Sequence, residues 1–352
     1  MKRPKKILGF ILCMACSWIV MCPTAGCSSG KDGIDAPDSP TPQIIVMYAP
    51  GGLGDQGYND CILTGVQNFK KNSYEKADIY QYSPNSIEEA ERLLTDWLSL
   101  AESEIPALFV VASSDYEPMV NICMRRNRLT HNKRMLLFES DNETGLPITT
   151  FRISMYGASY LAGCTAATYI AERHTSGSSK DALIVLAHEG DDVITPAKDG
   201  FIDGYKAVMP GGDVTLEYLA DDWSGYISAP EAYRNMKDWA TIYDFIFPVA
   251  GGSNQGIYRF TREQSTTLLT AGMDIDQSSL SKNICGSVIK RIDLILYNYL
   301  DTWLNTGELP ASQTFGLKGG YTDWLLSPNY IKYTDIVGKM RHIAEKAEEE
   351  NL

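Results

Sequence analysis

The chain has 352 residues, of which 21% are charged and 44% hydrophobic, and its net charge is −13 at pH 7. At roughly 150 residues per domain this length suggests two domains. The acidity argues against nucleic acid and against adsorption to an anionic membrane surface, and it favours a neutral or cationic ligand over a polyanion.

Lys2, Arg3, Lys5 and Lys6 precede an apolar run, Ile7 to Met21, too short to be a comfortable membrane span. Thr24-Ala25-Gly26-Cys27 follows and resembles a bacterial lipobox, with Thr24 where leucine is commonest. Residues 1–26 thus read as a lipoprotein signal peptide and Cys27 as the lipidated first residue of a protein that works outside the cytoplasm, in the periplasm or at the cell surface. Losing residues 1–26, with their four positive charges and no acid, takes the net charge to −17. Residues 27–42, rich in Ser, Gly, Asp and Pro, read as a flexible tether.

An apolar run from Gln43 to Ala49 reads as a first buried strand, and Ile62, Val66 and Phe69 mark a first helix. Between them lies Gly51-Gly52-Leu53-Gly54-Asp55-Gln56-Gly57-Tyr58-Asn59, a Gly-rich turn where open α/β sheets bind ligands. Gly52 to Gly57 satisfies G-x-G-x-x-G, but Asp55 inside the loop would repel a pyrophosphate, and the next strand ends in Gln81-Tyr82-Ser83 with no acid for a ribose. The better reading is a small polar ligand held by Asp55, Tyr58 and Asn59.

Strands are expected at 44–48, 78–82, 107–112 and 135–139, with the clearest helix over 86–101, where Ser86 and Glu89 form a capping box. A second series follows, with strands at 182–187, 214–219, 243–249 and 268–273 and helices at 154–173, 197–208, 230–241 and 255–263. This is α/β organisation, two doubly wound parallel-sheet domains with a ligand cleft between them. Asn283 to Ser287 leads into a long helix over 288–305, residues 314–317 form a closing strand, and the last helix ends in a charged tail, Glu345 to Glu350, read as a solvated face. The expected division assigns 43–153 and 283–312 to the first domain, and 154–282 and 313–352 to the second with its C-terminal helix.

The strand ends nominate the cleft residues. Asp115 is placed to accept sugar hydroxyls or to cap the next helix. Phe201 is a second stacking ring or a core residue. Gly251 and Gly252 bring backbone N–H groups to a ligand. Asp274 points into the cleft, and Lys290 either reaches it or is an exposed structural lysine. Past residue 27 there is no C-x-x-C pair, and the four histidines form no H-E-x-x-H pattern, so neither a metal site nor a cofactor is expected. Cys61, Cys123, Cys164 and Cys285 read as small buried residues, with two disulfides as the alternative.

Six of these segments together resemble the basic membrane protein family of bacterial substrate-binding lipoproteins, which includes purine nucleoside receptors of ABC importers. They are the 51–59 loop, Tyr160-Leu161-Ala162-Gly163, Phe201-Ile202-Asp203-Gly204-Tyr205, Ile246-Phe247-Pro248-Val249-Ala250-Gly251-Gly252, Asp274-Ile275-Asp276-Gln277 and Ser287-Val288-Ile289-Lys290. The family typically has Ser where Gly57 stands and Phe where Tyr58 stands, and the loop 189–195 is more acidic here. The resemblance, over about residues 43–325, implies a type I periplasmic-binding-protein fold with three crossings between domains. It implies that Tyr58 and Phe201 sandwich a nucleobase and that Asn59 reads its edge. Asp115, Asp274 and Lys290 would hold the ribose, with backbone contact from Gly251 and Gly252. The expected function is therefore a non-enzymatic, lipid-anchored, monomeric receptor that passes a purine nucleoside to an ABC permease. The alternatives are a ligand-sensing lipoprotein on the same fold or a nucleoside-processing enzyme.

Overall fold

The computed structural model describes residues 41–73, 76–173 and 182–352. The expected signal peptide, Cys27, most of the tether and His174 lie outside the described residues. Among those described, no helix is long and apolar enough to cross a membrane.

The first series is β1 (Gln43–Met47), α1 (Tyr58–Asn72), β2 (Asp78–Tyr82), α2 (Ile87–Ser99), β3 (Ala107–Val111), α3 (Glu117–Arg126), β4 (Lys133–Phe138) and β5 (Thr149–Ile153). The second is α4 (Tyr156–Arg173), β6 (Ala182–Leu186), α5 (Thr195–Val208), β7 (Val214–Tyr218), α6 (Ala229–Ile242), β8 (Phe245–Val249), α7 (Asn254–Glu263), β9 (Leu269–Asp274) and β10 (Ile284–Lys290). The chain closes with α8 (Ile292–Thr306), β11 (Gln313–Phe315), β12 (Thr322–Leu326) and α9 (Thr334–Glu350).

Two six-stranded sheets result, ordered β11-β5-β4-β3-β1-β2 and β12-β10-β9-β8-β6-β7. The orders coincide when β6 to β10 are read for β1 to β5 and β12 for β11. β12 alone runs antiparallel to its neighbour. β3, β6 and β8 are buried along their whole length, as strands covered on both faces must be. In the first lobe α1 and α8 cover one face, with Ile62, Val66, Ile295 and Tyr299 in that core. α2 and α3 cover the other, through Leu94, Trp97 and Val120. In the second lobe α4, α5 and α9 lie on one face and α6 and α7 on the other.

Local chemistry sets the element ends. Ser86 Oγ accepts from Glu89 N (3.2 Å), and Glu89 returns to the backbone N–H of Asn85 (2.8 Å), so α2 starts where the capping pattern places it. α8 stops at Gly307, which is left-handed with φ +78°. α4 is buried over nearly its full length because α5 approaches it at glycines. A Cβ at Gly163 would overlap the Phe201 carbonyl oxygen, and one at Gly200 or Gly204 would overlap the Tyr156 or Tyr160 carbonyl oxygen.

Four expectations change. The segment expected to begin the long helix is β10 as far as Lys290, and the helix starts at Ile292. β10 pairs in the second sheet and β11 in the first, the reverse of the assignments from sequence. β5 and β12 were not anticipated. Phe201 is 0% exposed, and its ring stacks on Phe247 at 4.4 Å in the second-lobe core. The four described cysteines are buried free thiols.

Candidate functional site

The carboxyl ends of both sheets open on one cavity of about 360 Å³ between the lobes. Every site residue nominated from sequence in the described region lines it except Phe201. Lys290 is 2% exposed and so is not the surface lysine of the alternative reading.

In the 51–59 loop, the Asp55 carboxylate accepts from the N–H groups of Gly57 (2.9 Å), Asn59 (2.8 Å) and Asp60 (3.2 Å). Asp60 accepts from Gly54 N (2.8 Å) and Gln56 N (3.0 Å). The amides that a phosphate-cradling loop would present are thus spent on the chain's own carboxylates, which removes the dinucleotide reading. Asn59, 2% exposed, accepts from Ala49 N at 3.0 Å, tying the start of α1 to the end of β1. Asn254 does the same in the other lobe, accepting from Ala250 N at 3.0 Å. Asp55 and Asn59 therefore build the loop as well as line the cavity.

The floor is a charged triad. Lys290 Nζ lies 2.5 Å from Glu139 Oε1, and Glu139 Oε2 accepts from Ile153 N at 3.0 Å. Asp274 completes it and accepts no hydrogen bond among the described residues; burial pushes its carboxyl up to about 7, against the opposing pull of Lys290. Glu139 and Asp274 sit at the tips of equivalent strands, β4 and β9, and both are left-handed, with φ +58° and +68°. That geometry is costly for non-glycine residues and turns each side chain back over its sheet end. The Tyr58 ring stands 5.1 Å from Lys290 Nζ, a cation–π distance. Burial, with Glu139 and Asp274 adding to it, raises the Tyr58 hydroxyl well above its ordinary pKa.

Asp115 is not a helix cap. Ser113 takes that role, accepting from Asp115 N (3.1 Å) and donating to Asp115 Oδ2 (2.7 Å). Burial raises the Asp115 carboxyl above its usual range. Facing it from the second lobe are His188 and Asp191, whose ligand-type atoms and that of Asp115 lie within 4.8 Å of one another. Both carboxylates are already engaged, Asp191 Oδ2 by the Tyr226 hydroxyl and Asp115 Oδ2 by Ser113.

Sequence reasoning missed Glu139, Asp191 and Tyr226. Glu139 stands just beyond β4 and Asp191 lies in the loop after β6, where the strand-end rule could have found them; Tyr226 lies farther on, in the short helical turn Trp223–Ile227 after β7, and carries no such signal. Tyr226 is the aromatic that Phe201 is not: it lines the cavity, is edge-on to His188 at 5.9 Å, and a Cβ at Gly251 would lie 2.9 Å from its ring. The cavity thus carries five carboxylates, of Asp55, Asp115, Glu139, Asp191 and Asp274, against the lysine ammonium. The lobes also touch directly. Gln277 Nε2 donates to the Gln56 carbonyl (2.5 Å) and Arg152 Nη2 to the Asp192 carbonyl (3.1 Å).

Comparison with known proteins agrees with this architecture. Residues 43–341 match the family model described as Bmp, ABC transporter substrate-binding protein PnrA-like. The chain is 22% identical over 301 residues to Basic membrane protein C of Borreliella burgdorferi, covering 82% of this chain and 81% of that one. It is 31% identical over 153 residues to Basic membrane protein D of the same species, covering 42% and 43%. Among solved structures, an ABC transporter solute-binding protein from Aeropyrum pernix aligns with a TM-score of 0.68 at 17% identity, covering 88% of this chain and 90% of that one. A carbohydrate transporter solute-binding protein from Agrobacterium radiobacter, in complex with D-arabinose, aligns with a TM-score of 0.61 at 15% identity, covering 82% and 96%. These likenesses establish the type I periplasmic-binding-protein fold.

Proposed function

Because the chain belongs to the Bmp family of PnrA-like ABC transporter substrate-binding proteins, we propose that it captures a purine nucleoside in the interlobe cleft and delivers it to the permease of an ABC importer. The family places it outside the cytoplasm; the finer reading adds a lipid anchor at Cys27 and a monomeric receptor.

The observation that carries the nucleoside reading is the corner formed by Asp115, Asp274 and Lys290 beside the Tyr58 ring. Carboxylates with oxygens open to the cavity suit paired hydroxyls of a sugar. Two tyrosines, 58 and 226, line the same cavity, and stacking of a base on such rings contributes roughly 1–3 kcal/mol each. Five carboxylates facing one ammonium disfavour any phosphate ester.

A thermal-shift panel of nucleosides, nucleobases, pentoses and nucleotides tests this. A ligand at about 100 times its dissociation constant adds about 2.7 kcal/mol. Nucleosides alone should shift the melt. A response to pentoses alone would discard the base sandwich, and an equal response to nucleotides would overturn the electrostatic argument. Asp115→Ala should then weaken nucleoside binding by roughly 2–3 kcal/mol, the loss of charged hydrogen bonds, with the fold intact. Calorimetry showing unchanged affinity would remove Asp115 from the site.

A further inference from the structure

Three stretches of chain join the lobes: 154–155 between β5 and α4, residue 291 between β10 and α8, and 316–321 between β11 and β12. They run side by side. Ser154 N donates to the Phe315 carbonyl (2.7 Å) and Arg291 N to the Tyr321 carbonyl (2.8 Å).

Glu348 reaches this bundle from the last turn of α9, inside the acidic tail that reads from sequence as solvated. Glu349 and Glu350 are exposed, but Glu348 is 2% exposed. Its Oε1 accepts from Gly157 N (3.0 Å) and its Oε2 from Leu317 N (2.7 Å), with a further hydrogen bond from the Ser154 side chain. One carboxylate therefore ties the third crossing, at Leu317, to the first, through the Ser154 side chain, and to the start of α4 at Gly157. Glycines make the room: a Cβ at Gly316 would overlap Glu348 Oε2, and one at Gly157 would lie 3.3 Å from its Cδ. A buried acid with both oxygens committed to backbone amides is a costly choice if the only need is to pack a terminal helix, for which an apolar side chain serves as well.

We propose that Glu348 is a hinge pin, a positioning residue that locks the first and third crossings together so that the lobes move about them as one hinge. Ser154 and Leu317 cannot separate while both share the carboxylate, so bending at one crossing must be accompanied by bending at the other. The terminal helix thereby becomes part of the closing machinery although it is remote from the cleft. The inference rests on lobe closure, not on which ligand is bound.

The test reads the empty protein and needs no ligand. In the full chain, nitroxides are attached through ketone-bearing residues placed at the exposed positions Lys71 and Lys237, one on each lobe, and the interlobe distance distribution is measured by pulsed electron resonance. Glu348→Ala should replace the narrow wild-type distribution with a broad one, while circular dichroism keeps its wild-type form. Glu348→Gln, which keeps the volume but loses one acceptor oxygen, should broaden it less and carries the test if the alanine variant does not fold. Glu350→Gln, an exposed control on the same turn, should leave it narrow. A lowered melting temperature with an unchanged distribution in the Glu348 variants would show a fold anchor only and overturn the proposal. Adenosine added to the wild type separately reports on the nucleoside reading: its failure to shift the distance counts against that ligand and leaves the hinge result standing.

Discussion

Lys290→Met is expected to lower the stability of the empty protein by about 3–5 kcal/mol near pH 8, the usual loss when one partner of a buried ion pair is removed. Lys290, Glu139 and Asp274 are 2%, 5% and 7% exposed, so water cannot replace the missing ammonium. Near pH 5.5 much of the loss should return. Asp274, already pushed up to about 7 with the lysine present, then carries a proton and ceases to be an uncompensated charge. The unsubstituted protein has its own dependence of the same sign. The Asp274 carboxyl holds its proton more tightly folded than unfolded. Its contribution to stability is therefore complete below the ordinary carboxylate range and is lost as pH rises through about 7. Nucleoside binding that uses the ionised carboxylate should run the other way, strengthening as pH rises through the same window. Urea unfolding at the two pH values decides the matter: an equal loss at both would show that Lys290 balances Glu139 and not Asp274.

Gly204→Ala should be among the most damaging single-methyl changes in the second lobe, costing about 3 kcal/mol or more, at or beyond the upper end for overpacking. The new carbon would overlap the Tyr160 carbonyl oxygen, a backbone atom that no rotamer change can move. Gly338→Ala is the control. It lies within α9 with nothing within 4 Å of its added carbon, and should gain about 0.5–1 kcal/mol from helix propensity alone. Denaturant midpoints measure both, and a Gly204→Ala loss below about 1 kcal/mol would mean that α4 and α5 can part freely.

These two substitutions show where the sequence was legible. The strand–helix alternation followed from apolar runs and capping residues, because fully buried parallel strands have few other ways to be written. The cleft residues followed from the rule that ligands meet strand ends. Phe201 failed because its motif, with Gly204, serves the crossing of two helices: the glycines exist for close backbone approach, and the phenylalanine packs beneath them against Phe247. Tyr226 was invisible because it sits in a short helical turn after β7, and nothing in Trp223-Ser224-Gly225-Tyr226 says which ring turns inward. β10 was misread because Val288, Ile289, Ile292 and Ile295 fit a helical spacing as well as a strand running into a helix, and only pairing with β9 and β12 decides between them. Glu348 was misread because charge runs are solvated unless a tertiary partner claims one member, and its partners lie 31 and 191 residues away.

The two sheets are topological copies, and the copying breaks at one position of the cleft floor. Glu139 and Asp274 occupy the same place in their lobes. Asp274 pairs in register with Ile289, and Lys290 is the residue after it; carrying the Phe138–Phe151 pairing on by one residue sets Glu139 beside Arg152, with Ile153, 3% exposed, after it. A symmetric dimer of either half would set two carboxylates, or two lysines with them, against one another. Fusing both halves into one chain frees the duplicates to differ. Position 153 remains greasy while position 290 carries the single ammonium that lets opposed acids share a buried floor. The tandem arrangement is thus a condition for the asymmetry of the floor, since no homodimer of half-chains could reproduce a cation present in one copy alone.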